Sequence, residues 1–285
     1  MRVADILEVE GCRLIEPSFA DLTLDSCTDY LFQIRADEAR LLVDENEEVI
    51  ALALHDRRGW HVASFLYRDP NLAIIEYFEA IGGEIYQERR ETWASAVREY
   101  YSMELLETTS PALEDLRPGR VEYIRDLLQE VWGDRSGELC LDCCCGSGVG
   151  TAALRAGGLR ALAYDNDPTL LALGLSKGRL LPSDTICIDA READRYITDA
   201  PLGIILMAGQ IYPYNASLWQ DIITTLLDLT DETLVTLGTE EEATMVESWC
   251  AGRDTRVFEN RRDPLYDRWC CVSRCESPSN QRSGL

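Results

Sequence analysis

Lysine is nearly missing from this chain: Lys177 is the only one among 285 residues. The remaining basic residues are arginines and two histidines, His55 and His61, and 51 acids against 27 arginines and lysines leave a net charge of −24. Such a chain repels a polyanion on average, which counts against tight nucleic-acid binding unless arginines cluster. Long apolar runs are missing too. No stretch approaches the roughly 18 apolar residues of a membrane span, and the start, MRVADILEVE, has no apolar signal-peptide core. The expectation is no membrane association and a cytoplasmic location. No internal repeat and no low-complexity tract is found, so repeat architectures are set aside.

What is present is an ordinary globular mixture. Hydrophobic residues at 46% and charged residues at 27% speak against wholesale disorder, and the length admits one large domain or two modest ones. Eleven cysteines in a chain this long do not make a small secreted disulfide scaffold. In a reducing compartment they serve as small buried hydrophobes.

The second half alternates short apolar runs with helix-like segments. The runs are LCLDC (139–143), ALAYD (161–165), DTICID (184–189), LGIILMA (202–208) and ETLVTLG (232–238), with TRVFEN (255–260) and DRWCCVSRC (267–275) as a closing pair. Continuous apolar runs separated by helices imply parallel strands buried on both faces. The expected fold class is therefore α/β, a doubly wound, seven-stranded and mostly parallel sheet. The first half differs. RLLVDE, EVIALAL and WHVASFLY read as strands, with HDRRG as a hairpin loop between the last two. Leu72, Ile75 and Phe78 share a helical face, and a second helix is expected to run to about Met103. LETTSPALEDLRPG (106–119) has loop composition and suggests the boundary. The expected organisation is a smaller N-terminal α+β region at 1–116, an α/β domain at 117–276, and a tail at 277–285.

The stretch LDCCCGSGVGT (141–151) sets the functional question. A strand ending in an acid, then glycines, then a helix start, suits a nucleotide-like ligand, because backbone can approach the ligand and unpaired N–H groups face it. Asp165 ends the second run and Asp189 ends the third. An acid at the second place can accept hydrogen bonds from both hydroxyls of a ribose. A G-x-G-x-x-G dehydrogenase turn does not fit, since cysteine stands where the first glycine belongs.

With those residues in view, the sequence resembles the class I (Rossmann-like) S-adenosylmethionine-dependent methyltransferase superfamily over about residues 120–275. LDCCCGSGVG is similar to its first motif, AYDNDP to its second and ICIDARE to its third. The resemblance implies S-adenosyl-L-methionine as methyl donor. It implies a first-motif cradle made of Asp142, Cys144, Gly146, Ser147 and Gly148, with the three last beside the methionine and sugar portions. Asp165 with Asn166 would take the ribose, and Asp189 with Ala190 the adenine. The helix at 120–132 would correspond to one that often lids the cofactor.

Cys140 and Cys143 form a C-x-x-C, and Cys270, Cys271 and Cys275 could add thiolates. Successive strand side chains point to opposite faces, so Cys140 and Cys143 diverge and a shared metal is not expected. After the fourth strand, amino-group methylases of nucleic acids carry an Asn/Asp-Pro-Pro-aromatic motif. Here the chain reads Ala208-Gly209-Gln210-Ile211-Tyr212-Pro213-Tyr214-Asn215. Gln210, Tyr212 and Tyr214 become the acceptor-side candidates, as hydrogen-bonding or aromatic-wall groups. The expected activity is methyl transfer to a protein side chain or small molecule in preference to nucleic acid, with a homo-oligomer admitted. Two alternatives stay open: a catalytically silent binder of the same cofactor that activates a partner, and an RNA methyltransferase using arginines at 89, 90, 261 and 262.

Overall fold

The computed structural model describes residues 1–114, 116–263 and 265–275, so the tail expected at 277–285 lies outside the described residues. The chain divides into two compact units: Met1–Thr108 with Pro182–Ile186, and Thr109–Leu181 with Cys187–Leu285.

In the first unit, helix α1 (Val3–Ile6), strand β1 (Cys12–Leu14) and two 3-10 helices precede the expected strands. These are β2 (Glu38–Val43), β3 (Val49–Asp56) and β4 (Gly59–Ser64). Helix α2 (Leu72–Ile81) starts where the Asn71 side chain accepts the Ile74 amide, and stops at Gly82 in the left-handed conformation. Its buried face differs in part from the expected one: Phe78 is buried as expected, but Ile74 is buried too and Leu72 is 73% exposed. Ile74 and Phe78 lie one turn apart, whereas Leu72 falls on the far side of that stripe. Strand β5 (Glu84–Gln87) follows, then α3 (Arg90–Thr108), which runs past the expected end near Met103. The sheet has the order β1-β4-β3-β2-β5, with its two outer pairings parallel and the central two antiparallel.

The remaining elements are α4 (Arg120–Trp132), β6 (Leu139–Cys143), α5 (Val149–Ala156), β7 (Arg160–Asp165), α6 (Pro168–Ser176) and β8 (Thr185–Cys187). They continue with β9 (Ala200–Ile205), α7 (Ala216–Asp228), β10 (Thr230–Leu237), α8 (Glu240–Trp249), β11 (Arg253–Glu259) and β12 (Trp269–Cys275). The seven-stranded sheet has the order β11-β12-β10-β9-β6-β7-β8. The central pairs β7–β6, β6–β9 and β9–β10 are parallel, and β12 runs antiparallel to both its neighbours. This is the doubly wound, mostly parallel sheet with a final antiparallel pair that the alternation of apolar runs and helices leads one to expect.

Both sheet faces are covered. Leu202 and Ile204 of β9 pack in one cluster with Ile124, Leu128 and Val131 of α4 and Ala153 and Leu154 of α5. Gly203, between them, points the other way, where an added Cβ would meet Leu226 of α7 at 2.9 Å. The order reverses between β6 and β9, since the chain adds β7 and β8 on one side and β9 and β10 on the other. In such sheets the crevice at the carboxyl ends of the two strands flanking that reversal is the natural ligand site. Among the described residues, no helix is long and apolar enough to cross a membrane.

Gly174 shows how tightly the wall beneath this edge is packed. A Cβ there would lie 2.6 Å from Leu180 Cδ1 and 2.8 Å from the Ser147 carbonyl oxygen. Glycine to alanine in a helix normally gains about 1 kcal/mol, but overpacking against backbone costs about 1–3 kcal/mol. Gly174→Ala should therefore lower stability in urea unfolding, and a rise in the midpoint would show that the wall yields.

Candidate functional site

Strand β6 delivers the chain to the crevice and the turn Cys144–Gly148 carries it into α5. Cys144 (φ 54°), Gly146 (φ 52°) and Gly148 (φ 75°) are all left-handed, a conformation that glycine adopts freely and cysteine does not. Gly148 is also sterically required, because a Cβ there would come within 2.6 Å of Leu180. Gly146 is different: its nearest neighbour in the Cβ direction is Leu170 at 3.9 Å, so its Cα side is open. Ser147 between them is buried.

Asp165 closes the turn. Its Oδ2 accepts the Gly146 amide at 2.8 Å and its Oδ1 accepts the Asp167 amide at 2.8 Å. Burial, at 8% exposure, pushes this carboxyl up, and the Asp167 and Gly146 amides oppose that shift. A carboxylate offers about four lone-pair positions, so one on each oxygen remains after these bonds. Asn166 beside it is exposed, and Asp167 caps α6. The next strand end is tied in by the Ile188 amide, which donates to the Asp165 carbonyl at 3.1 Å. Asp189 caps a 3-10 turn and forms a two-pronged ion pair with Arg191, which holds its carboxyl below the usual range. Ala190, the residue after it, is buried.

Asp142 has a buried partner of its own. It is 1% exposed and its Oδ2 accepts the Thr151 hydroxyl at 2.6 Å. A Cβ on Gly150 would sit 2.9 Å from that oxygen. Asp142 therefore braces the first turn of α5 from below. Cys140, Cys143 and Cys145 are buried, and burial pushes each thiol well up, so they are protonated and apolar in behaviour. Among the described residues, no group of three or more His, Cys, Asp or Glu is disposed to hold a metal ion.

After β9 the chain turns at Met207, left-handed at φ 54°, whose amide donates to Thr236 Oγ1 at 2.7 Å. The Ile211 amide donates to Glu242 Oε1 at 2.9 Å, while the other oxygen of Glu242 accepts Thr239 at the start of α8. Gln210 accepts the Tyr212 hydroxyl, and the Tyr212 and Tyr214 rings stack at 5.4 Å and 14°. Tyr214 is 81% exposed. The acceptor-side candidates are thus held as one exposed aromatic shelf.

Several participants escaped the sequence reading. Thr236 Oγ1 donates to buried Asp267, which Arg120 at the start of α4 pairs at 3.3 Å. Arg179 is 92% buried by its 8% side-chain exposure, with one nitrogen bonded to Glu114 at 3.0 Å. Its Nε and Nη2 are buried without a partner among the described residues. Those two nitrogens form the side-on edge that takes a carboxylate with two parallel bonds. The Arg179 Cβ lies 3.4 Å from where Gly148 would carry its own. No local pattern marks any of these. The exception is T-x-x-E at 239–242, a legible capping box.

No family model matches the chain, and no curated protein matches it. Solved structures do. A magnesium protoporphyrin IX methyltransferase of Synechocystis PCC 6803, solved with SAM bound, is similar at 15% identity and TM-score 0.46, over 64% of this chain and 96% of that one. A precorrin-6y C5,15-methyltransferase of Geobacter metallireducens is similar at 12% identity and TM-score 0.43, over 60% and 95%. An rRNA methylase of Streptococcus thermophilus is similar at 14% identity and TM-score 0.39, over 58% and 100%. Likeness at this level says nothing of ligand or acceptor.

The buried acid gives a pH test. Burial pushes the Asp142 carboxyl up to about 7, from an ordinary 3.8. Between those values the folded protein holds a proton that the unfolded chain has released, so this contribution to stability falls as pH rises through the window. In thermal melts from about pH 4 to 8, wild type should lose Tm relative to Asp142→Asn as pH rises. A constant difference would show that Asp142 is ionised throughout.

Proposed function

We propose that this protein is a methyltransferase that binds S-adenosyl-L-methionine at the carboxyl edge of its seven-stranded sheet and methylates a protein side chain or a small molecule. The observation that carries this is the union of the glycine turn after β6 with the acid ending β7, through the 2.8 Å bond from Gly146 to Asp165. It sits at the strand-order reversal, where such sheets take nucleotides.

The residues present fit that cofactor. Asp165 keeps a lone pair on each oxygen for the two ribose hydroxyls. Gly146 leaves the approach open, with Ser147 and Gly148 beside the methionine and sugar portions. Ala190 offers a backbone N–H and an apolar side to the adenine, and Asp189, already paired to Arg191, fixes that turn. Asn166 is placed to flank the ribose, and Cys144 borders the turn. Asp142 acts through α5 and is a positioning residue. The orphaned edge of Arg179 matches the amino-acid carboxylate, which offers the planar pair of acceptors this edge lacks. When bound, the cofactor supplies an electrophilic methyl group on a sulfonium sulfur. The protein supplies orientation, which accounts for much of the rate in such displacements.

On the acceptor side, Gln210, Tyr212 and Tyr214 form a shelf on which a flat or apolar acceptor can lie. Nucleic acid fits poorly. Arg90 is paired with Asp44 and Glu48, Arg261 with Glu259 and Arg262 with Glu130, so these arginines are neutralised in place. The first unit is assigned a substrate role in this proposal. It contains a cavity of about 540 Å³ lined by Phe65, Tyr67, Arg68 and Arg90 among others, a volume that suits a side chain or small metabolite.

Calorimetry tests the cofactor. Wild type should bind both adenosylmethionine and adenosylhomocysteine, and Asp165→Ala should weaken adenosylhomocysteine roughly 100-fold with an unchanged circular dichroism spectrum. Unchanged affinity removes the ribose assignment. Arg179→Met should cost about tenfold or more for adenosylhomocysteine and nothing for methylthioadenosine, which lacks the carboxylate. Equal losses for both ligands would make Arg179 structural only. Transfer of labelled methyl groups from adenosylmethionine into a lysate, with ribonuclease as the discriminating treatment, tests the acceptor class: label that disappears with RNA overturns the protein or small-molecule assignment.

A further inference from the structure

Three consecutive cysteines precede the glycine turn, and the cofactor proposal gives them no chemistry. On a regular strand the side chains of adjacent residues point to opposite faces. Cys143 and Cys144 break that rule: their sulfur atoms are 3.9 Å apart. The cause is local. Cys143 is the last residue of β6, and Cys144 takes a left-handed backbone at φ 54°, which swings its thiol back beside its neighbour's. A non-glycine residue held in this region is strained, and such residues concentrate at functional positions. The two thiols also differ in access. Cys143 is fully buried and Cys144 is partly exposed. Cys145 is buried, with its sulfur directed to the Gly146 carbonyl at 3.8 Å, and Cys140 lies in the core cluster under α4 and α5.

We infer that Cys143 and Cys144 form a vicinal dithiol modification site, which takes peroxide as a two-electron oxidant and closes reversibly to a Cys143–Cys144 disulfide. The accessible sulfur of Cys144 attacks one peroxide oxygen, giving a sulfenic acid at Cys144 and one water. The sulfur of Cys143 then displaces that hydroxyl as a second water, and the S–S bond forms. Two thiols lose two protons and two electrons, and one peroxide becomes two waters. The order follows from access, since peroxide reaches Cys144 and not Cys143. Adjacent Cα atoms are about 3.8 Å apart, less than the roughly 4.4–6.8 Å that disulfides usually span. Such a bond is strained and easily reduced, which suits a reversible mark better than a structural crosslink.

The site lies where a small shift matters. The Cys145 amide donates to the Tyr164 carbonyl at 3.1 Å and the Gly146 amide to Asp165 at 2.8 Å. Drawing the sulfurs from 3.9 Å to about 2.05 Å pulls on the residues that make those bonds. Oxidation therefore loosens the turn and weakens nucleotide binding, a consequence that rests on the cofactor reading above.

The test uses the full chain, hydrogen peroxide, the sulfenic-acid trap dimedone, and mass spectrometry of the peptide bearing these cysteines. Wild type should lose two hydrogens from that peptide, recover them with dithiothreitol, and carry no dimedone. Cys143→Ala should trap dimedone on Cys144, Cys144→Ala should show neither change, and Cys145→Ala should behave as wild type. Loss of two hydrogens in Cys144→Ala, or a wild-type peptide that keeps its thiols while exposed Cys275 is oxidised, overturns the site. In calorimetry, oxidation should lower adenosylhomocysteine affinity at least tenfold, and reduction should restore it. Disulfide formation with unchanged affinity overturns the coupling. A reduced wild type that binds no adenosylhomocysteine sinks the cofactor proposal and leaves the dithiol result standing.

Discussion

A hydrogen bond of 2.8 Å, from the Gly146 amide to the Asp165 carboxylate, holds the edge of this sheet in working order. It joins the turn after β6 to the end of β7, and through the Ile188 amide on the Asp165 carbonyl the end of the next strand is drawn in as well. The bond requires Gly146 in a left-handed backbone, and it keeps a carboxylate nearly out of water. A buried acid is tolerated only when amides or hydroxyls replace the water it gives up. Asp165 has two amides, Asp142 has Thr151, and Asp267 has Thr236 and Arg120. Burial pushes all three carboxyls upward, so each remains a local cost that its donors offset.

The same economy of charge shapes the rest of the molecule. In a chain of net charge −24, the guanidinium groups are spent mainly on nearby carboxylates. Arg191 holds Asp189, Arg135 holds Glu138 and Glu232, and Arg68 is buried against Glu16. Arg179 stands apart because only one of its nitrogens meets Glu114, leaving a two-donor edge in a dry place beside the glycine turn. Removing a charged group from water without partners is expensive, so an unmatched buried edge is informative where an exposed arginine would not be.

Much of the α/β half could be read directly from the residues. Each parallel strand is buried on both faces, so it appears as a short, nearly unbroken apolar run. Asp165 marks the end of β7, Asp189 stands two residues beyond β8 as a turn cap, and the crossing of β6 into α5 is marked by its glycines. The first half was less legible. Strands β1 and β5 have three and four residues, too few to show alternation, and the opening 3-10 helices have no strong period. On α2 the expected stripe of Leu72, Ile75 and Phe78 held at Phe78 and failed at Leu72, with Ile74 buried in addition, because a short helix rich in apolar residues offers more than one face. At the site, the glycines and the acids Asp165 and Asp189 stood out as local patterns. Thr236, Asp267, Arg120 and Arg179 come from separate elements and share no spacing.

By itself the sequence determined the alternation of strand and helix, the positions needing glycine, and the excess of negative charge, since each is set by neighbours along the chain or by composition. Only the tertiary structure decided that Asp142 is buried against the Thr151 hydroxyl, that Asp189 is already matched by Arg191, and that Cys143 and Cys144 lie side by side. Those outcomes depend on which elements pack together and on one left-handed residue at the end of a strand. Side-chain direction at such a junction follows from backbone torsions and packing, which no spacing of letters records.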